Sequence, residues 1–218
     1  MQEEQFITTT ELNSYINSGI SEAERIIHNL YEDYFLTTGA LTVHGAGLPW
    51  FTLPSDIYAN KIRKVVYDDG NNVEYIIPRI RKLEDIYALD DITASPENSF
   101  AYLLLNDLTN GVRLRLYPTP ASTPVANITV YYIRNAKQLS ADNDVHDIPE
   151  FENFIVAYAK IKCLQKEGTS PLLQVQIAEL QNEKSQMIQT LSNMVPDDDD
   201  NVIPDMSFYS DFDCNEGN

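Results

Sequence analysis

The stretch that decides the fold is "FAYLLLNDLTNGVRLRLYP", Phe100–Pro118. In its second half Val112, Leu114 and Leu116 alternate with Arg113, Arg115 and Tyr117. A period of two places the apolar set on one face of a half-buried strand. Asn110-Gly111 separates the two halves. Both residue types tolerate positive φ, which a tight hairpin turn requires, so the stretch reads as an antiparallel hairpin. Working outward, "IRKVVYDDGNNVEYIIP" (Ile62–Pro78) repeats the pattern around Asp69-Gly70. "ALTVHGAG", "FTLP" and "NITVYYIRNA" read as further short strands, and "RKLEDIYALDDI" as a short helix between the hairpins. Residues 37–136 are therefore expected to form a small antiparallel sheet of about five strands.

Either side of this region the period lengthens. "TTTELNSYINSGISEAERIIHNLYEDYF" (Thr8–Phe35) opens with Thr8 and Glu11 in capping-box spacing. Leu12, Ile16, Gly19, Ala23, Ile26, Leu30 and Tyr34 recur every three or four residues, which predicts one apolar stripe on a helix. Gly19 costs such a helix about 1 kcal/mol relative to Ala, so it is either tolerated or marks a close helix crossing. Downstream, Asp147 and Glu150 form a cap pattern with Pro149 in the first turn. Phe151, Phe154, Ile155, Tyr158, Ile161 and Leu164 supply the next stripe, and Gly168 ends it. Ser170-Pro171 then starts a second helix striped by Leu173, Ile177, Leu180, Met187 and Leu191. So short a connection makes the two helices antiparallel neighbours. The expected fold is α+β: a helical bundle with a small antiparallel sheet insert and an extended acidic tail. The N-terminal helix (1–36) and the C-terminal helix pair (137–195) make the bundle, the insert spans 37–136, and the tail spans 196–218.

The tail, "VPDDDDNVIPDMSFYSDFDCNEGN" from Val195, mixes two chemistries. Asp197, Asp198, Asp199 and Asp200 form a charge run, whose plain reading is a solvated spacer. Ile203, Met206, Phe208, Tyr209 and Phe212 follow it, side chains equipped for burial. A segment this short and charged cannot offset its own ordering entropy by itself. It is therefore expected to order on a partner surface.

Charge excludes several functions. The chain of 218 residues carries a net charge of −18. Nucleic-acid binding needs clustered Lys and Arg to displace counterions, and docking on anionic lipid needs the same. The excess instead suits basic partners, or a surface that repels nucleic acid. No apolar run is long enough for a membrane-spanning helix. "MQEEQFITTTEL" lacks the basic and apolar regions of a secretory signal, which predicts a cytoplasmic protein. Cys163 and Cys214 have no ligand-like spacing and are expected to be free thiols.

No catalytic motif is found: no G-x-S-x-G, Gly-rich phosphate loop, H-E-x-x-H or C-x-x-C. His28, His44 and His146 fall in separate elements and read as surface or structural residues. "DNDVHD" (Asp142–Asp147) begins like a calcium loop but lacks its glycine and bidentate glutamate, so it reads as a turn into the next helix. No metal and no cofactor are expected. Trp50, the only tryptophan, sits in "HGAGLPWFTLP". Its two readings are packing on its own sheet and an inter-subunit anchor, since Trp is enriched at binding hot spots.

Several segments in order carry a family resemblance: "TEL…YIN" in the first helix, "LPSD" before a strand, "RLYP", and "LS-D-D…IP" before a helix ending in "KE". Together they resemble the head-to-tail connector, or adaptor, proteins of tailed phages. The Tyr, Asn, Ile and Asp usage resembles that of an AT-rich phage of the crAss-like podovirus kind. The resemblance implies a structural virion protein at the head–tail junction, made in the host cytoplasm. It implies a homo-oligomeric ring, typically of twelve copies, beneath the portal protein. Such a ring extends the DNA channel without binding DNA specifically and offers a platform to the next tail or ring protein. The alternatives are another ring or head-completion component, a binding module whose acidic tail engages a basic partner, and a metal-dependent hydrolase built from scattered carboxylates.

Overall fold

The computed structural model describes residues 7–43, 50–68, 74–82, 84, 86, 100–109, 111–117, 128–141, 143–168 and 171–194. The first helix, α1 (Thr9–Leu30), starts where the capping box places it. The Thr8 side chain accepts from the Glu11 N–H, and the Glu11 carboxylate accepts from the Thr8 N–H at 3.0 Å. The helix ends earlier than its sequence stripe does. Tyr31 is its C-cap, and Glu32–Phe35 tighten into a 3-10 turn that delivers the chain to the first strand.

The chain then forms β1 (Leu36–Ala40), β2 (Thr42–Val43), β3 (Trp50–Thr52), β4 (Ile57–Asp68), β5 (Glu74–Ile76), β6 (Ala101–Asp107), β7 (Gly111–Tyr117) and β8 (Ile128–Arg134). They pair into two four-stranded antiparallel sheets, ordered β1-β8-β4-β5 and β2-β3-β7-β6. The expectation of a helical bundle with one small sheet insert is thus overturned. Among the described residues there are three helices against eight strands. The sheets also build a core of their own. Val65, Ile128, Val130 and Tyr132 of the first sheet meet Phe51, Tyr102, Leu114 and Leu116 of the second. Alternation marks the stretches that hold β2, β3 and β5 but passes over β1, whose LTTGA carries a single large apolar residue. Nor does alternation say to which sheet a strand belongs.

Both expected hairpins form. β6 and β7 pair from Ala101↔Tyr117 to Asp107↔Gly111, and Gly111 takes the positive φ of 71° that the turn demands. β4 and β5 pair from Val66↔Ile76 to Asp68↔Glu74. The Asp69-Gly70 turn and most of the expected helix at 81–92 lie outside the described residues. β4 is bent near its start. Ala59 and Asn60 have φ of 46° and 57°, and its register against β8 shifts between Ile57 and Ile62. This bulge lets one strand run the length of the sheet while turning its end toward α1.

A 3-10 turn at Pro149–Phe151 leads into α2 (Glu152–Glu167). Gly168, with φ of 99°, caps α2, and α3 (Pro171–Met194) follows. The expected Asp147 cap is not made. The Asp147 carboxylate instead bonds the Arg134 guanidinium and the Lys137 N–H, while Glu150 accepts from the Tyr34 hydroxyl at 2.7 Å. Charge-assisted partners outcompete a cap bond for this carboxylate. The three helices enclose a second core with Phe35 and Ile133. β8 thus serves both cores, Ile128, Val130 and Tyr132 toward the sheets and Ile133 toward the helices.

The buried face of α1 is rotated from the predicted stripe. Gly19, Ile20, Ala23, Ile26, Ile27 and His28 are buried, whereas Leu12 and Leu30 are about two-fifths exposed. Gly19 does mark a close crossing. A Cβ there would lie 3.1 Å from the Ile155 carbonyl oxygen of α2.

Candidate interaction site

The residues that carried the family resemblance act as fasteners. In "LPSD", the Asp56 carboxylate accepts from the Tyr132 hydroxyl at 2.8 Å, and its backbone carbonyl accepts from the Asn135 N–H at 2.7 Å. Burial, helped by Asp56, pushes the Tyr132 phenol up to about 12. In "LS-D-D", the Asp144 carboxylate accepts from the N–H groups of Ser140 and Ala141 and from the Ser140 hydroxyl. Those bonds hold its pKa down at about 2. A calcium loop leaves its carboxylate oxygens free for the ion, whereas this carboxylate is occupied in closing a turn. In the opening helix, the Asn17 amide brackets the backbone of Leu139, donating and accepting at 2.8 Å each. Glu11 also accepts from Lys166 at 2.7 Å, tying the start of α1 to the end of α2. That ammonium, with the Thr8 bonds, lowers the Glu11 carboxyl to about 2.

A charged cluster lies where the 3-10 turn after α1 meets β4. Lys61 reaches Glu32 at 2.5 Å, and Arg63 bridges Glu32 at 3.1 Å and Asp33 at 2.7 Å. Beneath it His28 stacks on Tyr58 with ring centroids 3.7 Å apart. Its side chain is 3% exposed, and desolvation lowers its pKa although Glu24 lies 3.6 Å away. His28 is thus a neutral core residue.

Trp50 begins β3 opposite Arg115 of β7. The Arg115 guanidinium lies 5.0 Å from the Trp50 ring centroid and 4.7 Å from that of Tyr117. Trp50 is half-buried at the start of β3, an inner strand between β2 and β7. The rest of its loop, residues 44–49, and the whole tail that holds Asp197–Asp200, Ile203, Met206, Phe208, Tyr209 and Phe212 lie outside the described residues.

Two clefts flank the helices. One, of about 1000 Å³, is polar and runs between α1 and Gln138–Ser140. The other, of about 430 Å³, is apolar, with Leu12 and Ile16 of α1, Val156, Ala159, Cys163 and Leu164 of α2, and Leu172 of α3 on its walls. Lys160 and Gln176 complete it. Leu172 is 61% exposed. The sequence stripes place Leu12, Ile16 and Leu164 toward the core, whereas Val156, Cys163 and Leu172 belong to no stripe. A signal was present, however. "PLLQVQI" at the head of α3 holds more apolar residues than one helix face can bury.

No group of three metal-ligating side chains is found among the described residues, and no described helix is long and apolar enough to cross a membrane. What the geometry presents is a fastened body with two main cores and two clefts along its helices. Residues 1–203 match the family of the SU10 adaptor protein, and the chain belongs to that family. It is a phage structural adaptor, a virion component that works with other head and tail proteins. The match ends before Met206, Phe208, Tyr209 and Phe212. No curated protein matches the sequence.

Proposed function

We propose that the chain is one subunit of a head-to-tail connector ring, typically of twelve copies, beneath the portal. The ring extends the DNA channel and forms the platform on which the next tail or ring protein docks. The observation that carries this reading is the adaptor-family match over residues 1–203. The charge supports it. A net charge of −18 per copy repels DNA phosphates, which lets a genome slide past without sticking. A fold fastened between distant segments, as at Asp56–Tyr132 and Asn17–Leu139, suits a part that bears load rather than one that moves.

In this reading Asp197–Asp200 form a charged spacer beyond α3, and Ile203–Phe212 form an anchor that orders on a neighbour in the assembly. Trp50, half-buried at the start of β3, joins the contact between subunits. The test is native mass measurement of the purified protein, alone and mixed with portal. A closed ring assembled on the portal is the expected result. A chain that stays monomeric and ignores the portal rules the reading out.

A further inference from the structure

Among the described residues the apolar cleft between α1, α2 and the head of α3 is open, yet its walls are the kind that proteins cover. An apolar cleft rimmed by polar groups is a docking site. We propose that in the unassembled chain its occupant is the chain's own segment Ile203–Phe212, folded back along α3.

Three observations point to that segment. The first is chemistry. The segment contains Ile203, Met206, Phe208, Tyr209 and Phe212, large apolar side chains that the unassembled chain has no neighbour to cover. The second is charge. From Asp197 onward the chain has eight acidic and no basic residues. α2 carries three lysines, Lys160, Lys162 and Lys166, against two glutamates, and Lys160 lines the cleft. α1 carries three glutamates against Arg25, and α3 two against Lys184. The three helices together are net negative, so the attraction is confined to α2, where Lys160 also lies 3.8 Å from Glu179 and Lys166 is bonded to Glu11.

The third is reach. At 1.5 Å per residue, Gln176 in the cleft lies about 27 Å along α3 from Met194, where the tail departs. A flexible link from Met194 to Phe208 or beyond has a root-mean-square span of roughly 20–25 Å. Span and reach match closely enough for a tether to present its end at about millimolar effective concentration. A second copy at low micromolar concentration cannot compete with that. The folded-back segment is a state of the free chain and does not depend on the ring.

The cysteines provide the assay. Cys163 lines the cleft, and Cys214 lies just beyond Phe212. A disulfide needs Cα atoms within about 7 Å, so the two thiols link efficiently only if the segment is seated. The full-length chain at low micromolar concentration is treated with diamide in mildly alkaline buffer. The two thiols lose two protons and two electrons, diamide is reduced to its hydrazine, and one S–S bond forms. The expected product is a monomer containing a Cys163–Cys214 peptide by mass spectrometry, absent from Cys163→Ser. Phe208→Asp with Phe212→Asp, and separately Leu172→Asp, should slow the linkage at least about tenfold, the effect of losing one buried ring or leucine. Linkage that is insensitive to these substitutions would mean random collision and would overturn the proposal. So would a linked dimer, which assigns the cleft to a second copy's tail, and so would no linkage at all. Portal binding by native mass reads the ring separately, so the two readings fail by different results.

Discussion

Replacing Gly19 by alanine tests the closest approach in the helical core. A Cβ at position 19 would sit 3.1 Å from the Ile155 carbonyl oxygen, 3.2 Å from Ile155 Cγ2 and 3.4 Å from Ile155 Cα. Two of those three atoms are backbone, so relief requires α2 to move rather than a side chain to rotate. Two effects then oppose each other. Alanine favours the helix over glycine by about 1 kcal/mol. Overpacking a dense core costs about 1–3 kcal/mol. The overlap wins, because Ile155 is itself buried and α2 is pinned at both ends, by Glu150–Tyr34 and by Lys166–Glu11. The expected net loss is roughly 1 kcal/mol, and Gly19→Val, with a branched Cβ, should lose more. Urea unfolding followed by circular dichroism reads this as a midpoint lowered by roughly 0.3–1 M. A Gly19→Ala midpoint raised by the full helix-propensity gain would refute the reasoning, since it would mean that the helices do not meet at Gly19.

Further perturbations address other parts of the fold. Desolvation holds the pKa of His28 below its ordinary 6.5, so the unfolded chain binds the proton first as pH falls. The stability that neutral His28 contributes is therefore present above about pH 6.5 and is lost below it, by at most about 1.4 kcal/mol per pH unit. Denaturation midpoints measured between pH 7.5 and 5.5 should fall in the native protein and fall less in His28→Phe. An equal fall in both would show that His28 is not the group responsible. Asp147→Ala leaves the Arg134 guanidinium and the Lys137 N–H without their shared acceptor and should cost about 1–3 kcal/mol. Hydrogen exchange should then quicken across residues 137–148; unchanged exchange there would contradict the fastening role. Truncation after Val195 should leave the circular dichroism spectrum of the body intact but weaken assembly with the portal or its neighbours. Normal assembly of the truncated chain would remove the anchor role from Ile203–Phe212.

How far each feature could be read in the sequence follows from the range of its cause. The capping box at Thr8 and Glu11, the Asn110-Gly111 hairpin and the Gly168 stop rest on residues a few positions apart, and all three are seen. Gly19 was legible as a question only, since the answer lies in Ile155 on another helix. The rotation of α1's buried face was not legible. Ile20, Ile27 and His28 are covered by Phe35, Tyr58, Ile133 and α2, whereas Leu12 and Leu30 lie at the helix ends, where cover is incomplete. The partners of Asp147 and Glu150 escaped for a similar reason. A cap pattern is local, and Arg134 and Tyr34 arrive from elsewhere in the chain.

By itself the sequence determined the alternation of helix, strand and helix, the turn positions, the acidic excess and the family, because these depend on local periodicity, composition and ordered motifs. Only the tertiary structure decided that the strands divide into two sheets with their own core. It likewise decided that β8 serves two cores and that α1, α2 and the head of α3 leave an apolar cleft. Each of these depends on which surfaces meet after the chain has folded. Side-chain alternation assigns a residue to a face of its own strand or helix, but it does not say what will cover that face.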